Sequence, residues 1–233
     1  MTMTLVIPAK NEARFLPLVL RKTHAALPPE SVLVLSDSAS TDATPEVVQK
    51  LLSELPNLRY FRVAEPGKGM AIKAAWRAFP SDIVAFMDAD LATDLEALNR
   101  LKKAATEVDV VIGNRRSKNS LSKRSLLRKT VSYGFYRIFR HHFPSLKCSD
   151  TTCGFKAIRN DKFKQVEPKI KNTTFFFDTE LIIHSFLANF SIQELAINWD
   201  ENRLVNRVSS VRILKVAQEY LANLRRASRD TRN

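Results

Sequence analysis

Short apolar runs recur at regular intervals through the first half of the chain. Residues 4–7, 32–35, 58–63, 83–87 and 108–112 are such runs, rich in Val, Ile, Leu and Phe, and each has the length and character of a buried strand. Between them the apolar residues space out helically, as at Phe15, Leu16, Val19 and Leu20. Strand and helix alternating in this way predict βαβ units and a mostly parallel sheet flanked by helices. Pro8 is expected to stop the first strand, with a helix beginning at Asn11-Glu12. The second strand should run into a polar loop from Ser36 to Thr44. That loop closes on a helix start in which Thr44 caps, Pro45 takes the first helical position and Glu46 suits the dipole. Helices are also expected from the turn at Gly67-Lys68-Gly69 to Phe79, and from near Asp94 to about Ala105.

The pattern changes after residue 113. Lys and Arg crowd the stretch from Arg115 to His142, interleaved with Leu126, Leu127, Val131, Tyr133, Phe135, Ile138 and Phe139. From Leu121 onward this predicts a basic amphipathic helix. Such a helix can lie on an anionic membrane surface, or pack its apolar stripe on the sheet. A second one ends the chain, with Leu214, Ala217, Leu221 and Leu224 on one face. Between them come a strand at 154–158, the aromatic run Phe175-Phe176-Phe177, a helix starting near Asp178 and a strand-like stretch at 190–199. The reading is one domain over 1–233, with a nucleotide-binding half at 1–113 and a second half at 114–233.

The 233 residues include 45% hydrophobic and 26% charged positions, as in an ordinary globular protein. The net charge of +13 is far from ordinary and points to anionic partners. Two cysteines, Cys148 and Cys153, do not make a disulfide scaffold. No run of about 18 apolar residues occurs, and the first residues lack signal-peptide regions. The expected location is the cytosol, peripheral to a membrane surface.

Candidate chemistry gathers at strand ends. The run ending at Met87 is followed by Asp88-Ala89-Asp90. Two crowded carboxylates repel, and a divalent cation with hard oxygen ligands relieves them; a solvated turn capping the next helix is the alternative. Asn11 with Glu12, Asp37, and Asp88 with Asp90 would converge at the carboxyl edge of a parallel sheet, where ligands bind. Lys68 between two glycines suits phosphate. The spacing is not that of a P-loop, and no dinucleotide fingerprint follows the first strand.

Taken together, Pro8-Ala9-Lys10-Asn11-Glu12, Asp37-Ser38-Ala39-Ser40-Thr41-Asp42, Gly67-Lys68-Gly69 and Asp88-Ala89-Asp90 resemble the family-two glycosyltransferases of GT-A fold. Further blocks are similar to its dolichyl-phosphate β-glucosyltransferase branch: Gly113-Asn114-Arg115, Lys123-Arg124-Ser125, Asp150 through Lys156, Phe177-Asp178-Thr179-Glu180-Leu181 and Asn198-Trp199. The resemblance implies that Pro8, Ala9, Asn11, Glu12 and Asp37 hold the nucleoside of a UDP-sugar, with Lys68 and Ala89 near the diphosphate. It implies Mg²⁺ or Mn²⁺ on Asp88 and Asp90, and the phosphate of a polyprenyl-phosphate acceptor on Arg115, Arg128 and Ser132. Asp88, Asp90, Arg115 and Asp150 are the residues expected to carry catalysis, by an inverting transfer. The sequence departs from the family pattern at Ser38, where a second Asp is usual. At Ala92 it leans to glucose, since mannosyl-transferring relatives commonly place Gln there. Two other readings remain open. One is a saccharide or protein hydroxyl acceptor, served by a general base among Asp150, Asp178 and Glu180. The other is a nucleic-acid-binding module, for which no recognisable motif exists.

Overall fold

The computed structural model describes residues 1–123, 126–201, 204 and 213–231; the side chains of Leu127, Arg128, Ile213, Leu214 and Lys215 lie outside the description. Its centre is a seven-stranded sheet. In chain order the first strands are β1 (Met3–Ala9), β2 (Ser31–Ser38), β3 (Leu58–Val63), β4 (Ile83–Met87) and β5 (Val110–Asn114). They are joined by α1 (Leu16–Ala25), α2 (Thr44–Glu54), α3 (Lys68–Ala78) and α4 (Ala97–Glu107). The second half adds the short β6 (Ser122–Lys123), α5 (Leu126–His142), β7 (Phe155–Arg159) and α6 (Asn160–Val166). It ends with α7 (Phe177–Leu187), β8 (Ile192–Ala196), the short β9 (Trp199–Asp200) and α8 (Ile213–Asp230).

The order across the sheet is β3-β2-β1-β4-β7-β5-β8, with β7 antiparallel to both neighbours and the other pairings parallel. Side chains on alternate faces of these strands feed two cores. One contains Leu5, Ile7, Leu33 and Ala85 with α1, α2 and α4; the other contains Val6, Val34, Val84 and Phe86 with α3 and α7. That two-sided burial is why the strands read as continuous apolar runs.

Four expectations are corrected here. Pro8 does not end β1, which continues to Ala9; pairing with β4 stops at Val6, so Pro8 occupies a one-sided stretch where no ladder bond is lost on that flank. Ser36, Asp37 and Ser38 belong to β2, paired with Phe61, Arg62 and Val63 of β3. Thr44 does not cap α2: its hydroxyl accepts from the Glu12 amide at 3.1 Å, and Asp42 takes the Thr44 amide at 3.0 Å. The α1 helix also starts later than Asn11, after a turn in which Asn11 has φ of 56°.

The candidate donor and acceptor cleft

A cleft of about 1000 Å³ opens at the carboxyl ends of β1, β2 and β4. The loop after each of these strands holds a non-glycine residue in the left-handed region: Asn11 (56°), Ala39 (54°) and Leu91 (53°). For Ala39 and Leu91 that conformation costs on the order of 1–2 kcal/mol each, so the loops must be held by their surroundings. They are. Asn11 Oδ1 accepts from the Thr41 amide at 2.8 Å, and the Asn11 amide donates to Ser40 Oγ at 2.9 Å. Asp37 Oδ1 takes the Ser40 amide at 2.8 Å, and Asp90 Oδ1 takes the Ala92 amide at 3.0 Å.

Most of the expected donor residues line the cleft: Pro8, Ala9, Asn11, Glu12, Lys68, Asp88, Ala89 and Asp90. Asp37 does not. It is fully buried beneath the floor, where its second oxygen takes the Tyr60 hydroxyl at 2.7 Å and Arg62 at 3.3 Å. Asp37 therefore fixes the loop that Ser38 presents to the cleft. Tyr60 and Arg62 were not singled out by sequence reasoning, because the pairing that delivers them comes from β3. In return, burial and the Asp37 carboxylate push the Tyr60 phenol up to about 12.

Lys68 begins α3, and its ammonium lies 2.9 Å from Asp88 Oδ1 and 2.9 Å from Asp178 Oδ2. Burial alone would lower its pKa; Asp178 and then Asp88 outweigh burial and hold it raised. Asp88 is positioned by backbone crowding. Its amide donates to the Gly154 carbonyl at 3.0 Å, and a Cβ on Gly154 would lie 1.8 Å from Asp88 Oδ2. Gly154→Ala must therefore push this carboxylate aside. We expect turnover at this cleft to fall roughly a hundredfold, as for a reacting group misplaced by about 1 Å, measured as kcat on folded variant.

Arg115 also lines the cleft, but its charge is already matched. Nε and Nη2 donate to the two oxygens of Asp150 at 2.8 and 2.7 Å, and Trp199 lies 4.8 Å under the guanidinium. Burial opposes ionisation of Asp150, yet Arg115 holds its carboxyl down at about 2. Asp150 is only 1% exposed, so it acts as an anchor for Arg115 and offers the cleft no base. Ser132 lines the cleft from α5 and is held by Arg116, which donates to its hydroxyl and carbonyl oxygens, both at 2.5 Å. That role for Arg116 was not foreseen. The Arg128 side chain lies outside the described residues.

Glu180 is also occupied and buried, taking the Asn172 amide at 2.6 Å and Arg226 at 3.0 Å. Cys153 packs under Gly113, and both thiols are buried and free. The cleft is also lined by apolar side chains, Val131, Phe135 and Ile138 of α5 and Val216, Ala217 and Leu221 of α8. Tyr220 closes the junction, its hydroxyl donating to the Phe175 carbonyl at 2.6 Å and its ring edge-on to Phe135 and Phe176. Burial and then Asp178 hold this phenol's pKa raised, so it stays protonated as a donor.

A mostly parallel sheet with paired aspartates at the end of a central strand is the GT-A arrangement. The chain belongs to glycosyl transferase family 2, whose family model matches residues 4–167. It is 30% identical over 217 residues to dolichyl-phosphate beta-glucosyltransferase ALG5A of Trichomonas vaginalis, covering 85% of this chain and 66% of that protein. It is 27% identical over 205 residues to glycosyltransferase AglD of Haloferax volcanii, covering 84% of this chain and 33% of that one. The chain thus spans from a third to about two thirds of these relatives' lengths. Among solved structures, glucosyl-3-phosphoglycerate synthase from Mycobacterium tuberculosis, crystallised with Mn²⁺, UDP-glucose and phosphoglyceric acid, shares the fold. The TM-score is 0.73 at 17% identity, covering 97% of this chain and 79% of that one.

Proposed function

We propose that this chain transfers a sugar, glucose by preference, from a UDP-sugar to a polyprenyl phosphate, inverting the anomeric carbon. One observation carries the reading. A single cleft is lined by the paired carboxylates Asp88 and Asp90, by Arg115 and Ser132, and by apolar side chains of α5 and α8. A nucleotide diphosphate suits the carboxylates with a cation between, a phosphate the arginine and serine, and an isoprenoid chain the apolar side chains. The similarity to proteins named dolichyl-phosphate beta-glucosyltransferase supports the same choice.

The residues present fit a divalent cation. Asp88 and Asp90 offer hard oxygen donors, and Asp88 Oδ1 already receives one cation, the Lys68 ammonium. Mg²⁺ or Mn²⁺ held there would supply electrostatic stabilisation of the departing diphosphate. Lys68 adds a fixed positive charge beside the same place. The loop residues Pro8, Ala9, Asn11 and Glu12 hold the nucleoside, with Asp37 keeping the neighbouring loop in shape. Arg115, oriented by Asp150, and Ser132, oriented by Arg116, receive the acceptor phosphate and offset repulsion between two anionic substrates.

A phosphate monoester has a second pKa of about 6 and is mostly dianionic near neutrality. Its oxygen attacks without surrendering a proton, whereas a hydroxyl acceptor needs a general base. Asp150 and Glu180 are both committed to arginines, and Asp178 to Lys68. This favours the phosphate acceptor over a saccharide or protein hydroxyl.

No helix among the described residues is long and apolar enough to cross a membrane. The outer face of the acceptor side nevertheless exposes Leu121 (75%) and Leu126 (81%) beside Lys123 and Lys129. Such a surface suits docking on the anionic cytosolic face of a bilayer, where each Lys or Arg contributes about 1 kcal/mol. The test supplies labelled UDP-glucose, Mn²⁺ and polyprenyl phosphate in anionic vesicles. Organic-extractable label, formed more slowly at high salt, is the expected result. Label found only in water-soluble glycosides would defeat the acceptor assignment.

A further inference from the structure

Lys68 touches two carboxylates of unlike standing. Both line the cleft, but the Asp178 side chain, in the first turn of α7, is 3% exposed, while that of Asp88, just after β4, is 31% exposed. The starts of α3 and α7 are tied as one body. Gly69 and Met70 amides donate to the Thr174 and Thr173 carbonyls at 3.2 and 2.9 Å, and a Cβ on Gly69 would lie 2.5 Å from Phe177 Cβ. Packing thus sets the Lys68–Asp178 distance. Asp178 Oδ1 is buried with no hydrogen-bond partner, so this carboxylate has acceptor capacity left over. One ammonium between two carboxylates leaves negative charge unspent, with Asp90 close by in sequence.

We propose that Lys68 is a built-in cation that competes with the divalent metal for Asp88, and that Asp178 is the positioning residue that retains Lys68 when the metal takes its place. The idea rests on the metal reading above and deepens it. In the nucleotide-free protein the ammonium partly neutralises Asp88, which offsets the repulsion between two carboxylates so close in sequence. A metal ion on Asp88 repels the ammonium. Asp178 can then accept it wholly, through Oδ2 and the unspent Oδ1, leaving Lys68 beside the diphosphate. Without Asp178 the ammonium has Asp88 alone, and the metal must displace it into a buried apolar wall that includes the Phe86 ring, 5.1 Å away.

The test measures Mn²⁺ binding to nucleotide-free protein by electron paramagnetic resonance of the free ion, and UDP binding at saturating Mn²⁺ by calorimetry. Lys68→Met is expected to tighten Mn²⁺ roughly tenfold while weakening UDP by a similar factor. Asp178→Asn should weaken Mn²⁺ severalfold, and should do much less in the Lys68→Met background, since it acts through Lys68. Lys68→Met leaves Asp178 unpaired, so Lys68→Met/Asp178→Asn, which removes both buried charges, is compared with Asp178→Asn as well; it should bind Mn²⁺ roughly tenfold more tightly than that single variant. If Lys68→Met binds Mn²⁺ no tighter than wild type, or the double variant no tighter than Asp178→Asn, the competition does not exist. Wild-type protein that binds no Mn²⁺ even with UDP present would overturn the metal reading itself, and this proposal with it.

Discussion

Asp90→Ala is expected to lower sugar transfer about a thousandfold, the scale on which removing one preorganised charge-stabilising group acts. Asp90 lines the cleft beside Asp88 on the loop leaving β4. Its carboxylate also fixes that loop, accepting the Ala92 amide at 3.0 Å next to the left-handed Leu91. Both functions vanish together in the alanine variant. Asp90→Asn separates them, because an amide oxygen still takes the Ala92 hydrogen bond but carries no charge. Transfer rates for the two variants, with thermal melts alongside, check this: Asn should retain the wild-type melting temperature and still lose most of the activity. An active Asp90→Asn enzyme would mean that the charge is not what matters.

The second large effect concerns stability. Asp150→Ala should cost about 3–5 kcal/mol, because it leaves the Arg115 guanidinium buried with only Thr152 and the Trp199 ring for company. Denaturant unfolding reads this directly. The pH dependence has a defined sign. With the Asp150 carboxyl held at about 2 against an ordinary 3.8, its contribution is complete above pH 4 and is lost as pH falls through about 2. Wild-type stability should therefore drop in that window by more than Asp150→Ala does. Equal acid sensitivity of the two proteins would assign the loss to other carboxylates.

Much of this architecture could be read from the chain because local physics determines it. Ile83–Met87 is apolar at every position since both faces of β4 are covered, and Asp88 and Asp90 stand where that cover ends. What escaped reading depends on partners far away in sequence. That Asp37 is buried and bonded to Tyr60 and Arg62 follows from the pairing with β3. The antiparallel β7, inserted between β4 and β5, brings Gly154 against Asp88, and no spacing in either segment announces it. The resemblance placed a phosphate on Arg115; the fold also gives it Asp150 as a counter-ion, from 35 residues away in sequence. Tyr220 reaches the cleft only because α8 packs along α5, through Phe135. Non-glycine residues at positive φ, here Ala39 and Leu91, leave no compositional trace.

The most direct test of the electrostatic account is anomalous diffraction from a crystal soaked with Mn²⁺ and UDP-glucose. The expected result is one manganese peak bonded to Asp88, Asp90 and the diphosphate, with Lys68 still on Asp178 and the hexose turned toward Arg115 and Ser132. Manganese bound elsewhere, or a nucleotide seated with its diphosphate away from Asp88 and Asp90, would contradict it.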